Sequence, residues 1–317
     1  MSNKDYRPTL AQLRTFATIA EHKHFGTAAT KLGISQPSLS QALVALESGL
    51  GVQLIERSTR KVIVTPTGEQ LLPYAKAALE AADAFVVHSR GGDGTLSAPL
   101  TIGMIPTIAP YLLPHLLPLV RDEFPQAQPK VVEEQTAHLV SKLRDGLIDV
   151  AVLALPVDQS GLEQVELYAE PFVVVTPEGH PLAGRTDLSV SDVGELELLL
   201  LDDGHCLRHQ ILDLCHGAQV NPTSTSLSVT RAASLTTVTQ LVMSGMGSTL
   251  LPVSALEAEC RRPNLRISTF APDSGAERRV GLAFRTSSSR RADFAALGGL
   301  VTRAYEAAAN NAKDMLP

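Results

Sequence analysis

The 317-residue chain lacks any apolar run approaching the roughly 18 residues of a membrane span, which excludes a helical membrane protein. Its first residues, Met-Ser-Asn-Lys-Asp-Tyr-Arg-Pro, carry no apolar core of the kind a secretory signal needs, so a cytoplasmic setting without membrane contact is expected. Cysteine is scarce, with three residues at 206, 215 and 260. Thiols in that setting are kept reduced, which excludes a structural disulfide staple and leaves only a transient, regulatory one. No metal and no cofactor is expected. Positive charge is also short, 27 Lys and Arg against 33 Asp and Glu, net −6. What is present is a 44% hydrophobic composition, enough for two or three compact domains with their own cores.

The net charge conceals an asymmetry. Residues 1 to 62 hold eight cations (Lys4, Arg7, Arg14, Lys23, Lys31, Arg57, Arg60, Lys61) and four acids (Asp5, Glu21, Glu47, Glu56), net +4, so the remainder is −10. A small basic module on an acidic body points to a polyanion partner for the N-terminal part alone.

Local signals give that module its shape. Thr9 caps a first helix with an apolar stripe at Leu10, Leu13, Phe16, Ala17 and Ala20. Thr27 is expected to cap a second, Ala28 to Leu32, closed by Gly33. Ser35 caps a third, with Pro37 in its first turn, burying Leu39, Leu43, Leu46 and Leu50. Two helices joined by a short glycine-containing turn, the second presenting small polar residues, form the helix-turn-helix pattern; generic helical hairpins share it. The segment from Leu54 to Thr65 reads as a β-hairpin with three cations at its turn, a wing. On this reading Ser35, Gln36, Pro37, Ser38 and Gln41 face bases in the major groove, and Arg57, Arg60 and Lys61 contact phosphates or the minor groove. A solvated hairpin tip is the plainer alternative for the cations.

Thr65 and Pro66 open a longer helix whose Leu71, Ala75, Ala78, Ala82 and Phe85 step by four, three, four and three, a heptad seam suited to pairing with a second copy. The expected organisation is an all-α winged helix-turn-helix at 1–65, a dimerising linker helix at 66–90, a glycine-rich hinge at 91–99 and an α/β unit at 100–310. Strands with largely parallel pairing are expected at Leu100–Met104, Lys130–Glu134, Val150–Leu153, Phe172–Thr176, Leu198–Leu201, Leu227–Thr230, Ser248–Leu251, Leu265–Thr269 and Arg279–Phe284. Helices are expected at Pro110–Val120, Leu139–Leu147 and Arg290–Ala309. The α/β unit divides into lobe I, 100–167 and 270–310, and lobe II, 168–269.

Two cysteines fall in Gly204-His205-Cys206-Leu207-Arg208-His209-Gln210-Ile211-Leu212-Asp213-Leu214-Cys215. Along one helix, nine residues put the Cα atoms roughly 13 Å apart on opposite faces, whereas a disulfide needs them within about 7 Å. Joining them must break the helix, which makes a two-state switch. His205, Arg208 and His209 flank Cys206 and are expected to favour its thiolate, making it the peroxidatic thiol, and the apolar surroundings of Cys215 make that the resolving one. A pair of inert buried thiols is the plainer alternative. Cys260, amid acids, reads as an inert surface or half-buried thiol.

Phe16, Ala28-Ala29, Leu32, Ser35-Gln36-Pro37-Ser38-Leu39-Ser40, Leu46-Glu47, Gly51, Leu54, Arg57 and Thr65-Pro66-Thr67-Gly68 together resemble the winged helix-turn-helix of LysR-type transcriptional regulators. The stretch from Gly103 to His115, Glu134-Gln135-Thr136, and Leu200 to Arg208 with Cys215 resemble the hydrogen-peroxide-sensing branch of that family. The resemblance implies a non-enzymatic regulator of antioxidant genes and a two-lobed, periplasmic-binding-protein-like α/β domain. Its implied partners are double-stranded promoter DNA, hydrogen peroxide, cellular thiol reductants and further copies of itself, as a dimer and then a tetramer. It also implies that Thr107, Thr136, His205 and Arg278 surround a peroxide beside Cys206. Each has an alternative use: Thr107 and Thr136 as helix caps, His205 as a core histidine, Arg278 as a surface partner of Glu277 with Arg279 in its place. His209 stands where that branch tends to carry an acid, and it cannot reproduce a carboxylate's acceptor role. Two rivals stand beside this reading: a thiol peroxidase using the same cysteines, and a regulator that binds an organic acid in the cleft.

Overall fold

The structure is a computed structural model that describes residues 6–57, 62–89, 95–157, 159–217 and 232–317. Three helices open the chain. Helix α1, Leu10–His22, starts in a capping box: Thr9 accepts from the Gln12 amide and Gln12 returns the bond to the Thr9 amide. Helix α2, Phe25–Leu32, begins earlier than expected, because the His24 ring and not Thr27 is the cap; Nδ1 accepts from the Thr27 amide. Gly33 ends it in the left-handed region at φ 65°. Helix α3, Gln36–Leu50, is capped by Ser35 and buries Leu39, Leu43 and Leu46 against Phe16, Ile19 and Ala28.

The unit is not purely α. Strands β1, Ile55–Arg57, and β2, Val62–Val64, pair antiparallel as the wing. Arg57 lies on β1, while Arg60 and Lys61 fall outside the described residues. Helix α4, Pro66–Ser89, follows, with Leu72 and Ala75 buried in the first core and Tyr74 and Phe85 exposed, Phe85 at 76%.

The remainder is built on one curled sheet of order β4-β3-β5-β9-β6-β7, with β8 on the other side of β6. The strands are β3 (Leu100–Met104), β4 (Pro129–Glu133), β5 (Val150–Leu155), β6 (Leu162–Pro177), β7 (Thr249–Pro252), β8 (Leu265–Thr269) and β9 (Glu277–Arg285). Only β3 pairs in parallel, with β4 and β5; the other ladders are antiparallel. The expectation of a largely parallel sheet is therefore corrected. The reason is β6, which starts ten residues before the expected strand: it runs antiparallel to β9 from Leu162 to Pro171, then to β7 and β8 from Phe172. One continuous strand thus serves both lobes, and β9 brings the chain back. The leucines 198–201 make isolated bridges to Ser248 and Ala232 and no continuous strand; Leu227–Thr230 lies outside the described residues.

Helices α5 (Ala109–Glu123), α6 (Thr136–Arg144) and α10 (Arg291–Ala312) cover the first lobe, and α7 (Cys206–Gly217), α8 (Leu235–Met243) and α9 (Leu256–Cys260) the second. Among the described residues no helix is long and apolar enough to cross a membrane. The linker helix is anchored to the first lobe by a polar junction. Arg285, buried on β9, donates to the Leu143 and Ile148 carbonyls at 2.7 and 2.8 Å and pairs with Glu80 of α4. Lys76 of α4 packs against Gly146 in the same place.

Burial there pushes the Lys76 ammonium down from 10.5 to about 8, with Asp145 opposing the shift. Below pH 8 the folded protein carries a desolvated charge, and above 10.5 neither state does, so stability rises between those values. Lys76→Met is expected to be more stable than the parent by on the order of 3 kcal/mol at pH 7, a difference that narrows as pH rises from about 8 to 10.5. Urea unfolding across pH checks this; a constant difference between the two proteins would contradict it.

Candidate functional site

The two thiols are on one helix. Cys206 is the first residue of α7 and Cys215 lies near its end, and both are free. At 1.5 Å per residue and 100° per step their Cα atoms are roughly 13 Å apart on opposite sides of the axis. Cys215 is fully buried in the second-lobe core with Leu207 and Ile211. Cys206 is half-buried where α7 meets the first lobe.

That meeting is close. Gly204, at φ 94°, precedes the helix, and a Cβ there would overlap the Gln135 side chain at the end of β4. A larger residue would be strained at that φ and would have to push the Gln135 amide aside. Thr136 follows as the first residue of α6; it caps nothing, and its buried Oγ1 has no hydrogen-bond partner apart from the Cys206 thiol it faces. Such an orphaned hydroxyl suits a small polar guest.

Arg278 arrives from β9 with its side chain wholly buried. Nη1 donates to Thr107 Oγ1 and Nη2 to the Thr107 carbonyl, both at 3.0 Å, and Nε donates to Glu170 at 2.8 Å. Thr107 is therefore a partner of Arg278 and not the cap of α5, whose cap residue is Ile108. The Arg278 and Arg279 alternatives separate cleanly: Arg279 points outward, 65% exposed, toward Glu166. Sequence reasoning missed Glu170, Gln135 and Gly204 as contributors. Strand alternation carries a signal for the first: Tyr168, Glu170 and Phe172 share one inward face of β6.

The electrostatics correct one expectation. None of the three cations neighbouring Cys206 in sequence favours its thiolate. Arg208 is paired with Asp203 at 3.1 Å and donates to the Leu201 carbonyl. His209 is exposed. His205 is buried, and desolvation lowers its pKa below the usual imidazole value, only partly opposed by Asp202, so it is neutral at pH 7. Burial raises the Cys206 pKa above the ordinary thiol value, with Arg278 and then Thr136 acting against it. The resting group is a protonated thiol with one buried cation near it, supplied from far along the chain. Burial also raises Cys215. Cys260 is buried, not a surface thiol, and its desolvation beside Glu259 pushes it up to about 12.

On the N-terminal unit, Ser35, Gln36, Pro37, Ser38 and Gln41 are all exposed at the start of α3. Ser35 also caps that helix, accepting from the Ser38 amide, and its hydroxyl meets that of Ser38 at 2.8 Å. Among the described residues no cluster of His, Cys, Asp or Glu is arranged to hold a metal.

Comparisons with known proteins agree with this arrangement. Residues 10–69 match the bacterial regulatory helix-turn-helix protein, lysR family, and residues 93–306 the LysR substrate binding domain. The probable hydrogen peroxide-inducible genes activator of Mycobacterium avium is 47% identical over 302 residues, 95% of this chain and 96% of that protein. The C206S mutant of Corynebacterium glutamicum OxyR, H2O2-bound, is 59% identical with a TM-score of 0.70, covering 98% of this chain and 97% of that one. The oxidized form of the same organism's OxyR is 60% identical with a TM-score of 0.63, covering 99% and 96%. Taken with a helix-turn-helix at one end and a thiol pair on one helix of a curled α/β sheet, these matches show that the chain belongs to the LysR family of transcriptional regulators and is similar to its OxyR members.

Proposed function

We propose that the protein is a hydrogen-peroxide-sensing transcriptional regulator of antioxidant genes. The observation that carries this reading is the placement of Cys206 at the junction of the two lobes, between an orphaned Thr136 hydroxyl and the buried Arg278, with Cys215 on the same helix. Peroxide lies beside Cys206 with Thr107, Thr136, His205 and Arg278 around it. The Cys206 sulfur bonds to one peroxide oxygen as the O–O bond breaks; the departing hydroxide takes the thiol proton and leaves as water, and sulfur, oxidised by two electrons, becomes sulfenic acid. Donors aimed at the departing oxygen stabilise the charge that develops there. The Cys215 sulfur then displaces the sulfenic oxygen as a second water, forming the disulfide. Two cellular thiols return two electrons and two protons to reset it.

That disulfide cannot form on an intact α7, so oxidation selects a refolded second lobe. Inverting a population from 1:99 to 99:1 takes about 5.5 kcal/mol, which corresponds to roughly 120 mV for a two-electron couple. A regulatory disulfide differs from its thiol pool by that order. The two lobes form a periplasmic-binding-protein-like domain, and the refolding alters how copies assemble: a dimer through α4, whose Phe85 is exposed, and a tetramer through the α/β domains. The N-terminal residues Ser35, Gln36, Pro37, Ser38 and Gln41 read promoter DNA in the major groove, with Arg57, Arg60 and Lys61 of the wing on the backbone.

Cys206→Ser should abolish the peroxide response while retaining DNA binding in a gel-shift titration. Cys215→Ser should still form sulfenic acid at Cys206; mass spectrometry finding none would refute the assignment of roles. For the thiol itself, Cys206 alkylation by a neutral reagent should climb with pH to a midpoint above 9.0, since burial raises it. A midpoint near 7 would mean that the resting group is already a thiolate. Arg57→Ala should weaken DNA binding and reduce its salt slope by about 1 if it meets a phosphate.

A further inference from the structure

A second buried charge lies behind Arg278. Glu170 on β6 has no exposed surface. Its Oε2 accepts from Arg278 Nε at 2.8 Å and lies 2.7 Å from Nη2, and its Oε1 accepts from the Ser254 amide at 3.0 Å. A guanidinium has five N–H groups in one plane. That of Nε goes to Glu170, one of Nη2 goes to the Thr107 carbonyl while Nη2 also lies in ion-pair contact with Glu170, and one of Nη1 goes to Thr107 Oγ1. One Nη1 N–H is left over. The plane is therefore set from two sides, by Thr107 after β3 in the first lobe and by a carboxylate tied to Ser254 after β7 in the second.

We propose that Glu170 is a positioning residue for the peroxide reaction, holding Arg278 in the orientation that presents its remaining Nη1 N–H to the oxygen beside Cys206. The proposal rests on the reading above, in which peroxide binds next to Cys206 with Arg278 as a donor. The carboxylate acts by geometry, because a planar fork clamped on Nε and Nη2 cannot rotate about its own axis, and an unclamped one can. If Glu170 did no more than balance charge, its removal would act in the opposite direction: an unpaired buried guanidinium would stabilise the Cys206 thiolate, easing loss of the thiol proton to solvent, and speed every reaction of that thiol.

The test uses the full chain with Cys215→Ser, which isolates the first step, and follows Cys206 by mass spectrometry. The readout is the rate of sulfenic acid formation by hydrogen peroxide divided by the rate of alkylation by iodoacetamide. This ratio cancels changes in thiol ionisation and access. Glu170→Gln keeps the shape but turns an amide donor toward Arg278 or loses the Ser254 bond. It is expected to lower the ratio at least tenfold. Glu170→Asp, whose carboxylate is one methylene short of spanning both partners, is expected to lower it three- to tenfold, and decides the matter alone if Glu170→Gln does not fold. Arg278→Ala should lower the ratio as far, and Glu170→Gln added to it should change nothing more. A ratio unchanged or raised by the Glu170 variants, with Arg278→Ala still lowering it, overturns the positioning role and leaves the peroxide site standing. Further loss on adding Glu170→Gln to Arg278→Ala also overturns it. A ratio that Arg278→Ala leaves unchanged removes the peroxide-site reading, and this inference with it.

Discussion

The continuity of α7 is the constraint on which the rest depends. While the helix is intact, Cys206 and Cys215 face opposite ways with roughly 13 Å between their backbones, and no side-chain rotation joins sulfurs that far apart. The bond and the helix are alternatives, so the chemistry at one atom is obliged to become a change of backbone. The helix begins at the boundary between lobes, where Gly204 lies against Gln135, and its last turns carry a fully buried cysteine. Unwinding it disturbs both a lobe contact and a core.

The site exists because the strands cross between lobes. Cys206 and His205 come from the second lobe, Thr107 and Thr136 from the first, and Arg278 and Glu170 from the two strands that join them. Arg278 and Glu170 make a buried pair with no net charge, which is costly to desolvate but satisfied by four hydrogen bonds around it. The result is a thiol that rests protonated, with a buried guanidinium held in place near it. The same β9 that supplies Arg278 ends at Arg285, which grips Glu80 on the linker helix. One strand thus connects the thiol pocket to the helix that leads to the DNA-reading unit.

Much of this was legible where the signals are local. The caps at Thr9 and Ser35, the stop at Gly33 and the wing hairpin follow from neighbours a few residues apart, and the structure has them. The thiol pair was legible because spacing on a helix is geometry. What failed was any inference from sequence proximity to charge. His205, Arg208 and His209 adjoin Cys206 in the chain, but His205 is buried and neutral, Arg208 is paired with Asp203 and His209 is exposed, and the cation that acts on the thiol lies 72 positions away. The choice between Arg278 and Arg279 looked open, yet alternation resolves it: Arg278 shares its face with the buried Val280, and Arg279 sits with Glu277 outside. The parallel-sheet expectation failed for a related reason, since a strand long enough to serve two lobes cannot be told from two shorter ones by composition.

The most direct measurement is backbone hydrogen exchange across α7, in reduced protein and after one equivalent of peroxide. The amides of residues 210–214, bonded within the helix, are expected to lose their protection when the Cys206–Cys215 disulfide forms, and to keep it in Cys215→Ser treated in the same way. A disulfide formed in full with those amides still protected would contradict the account.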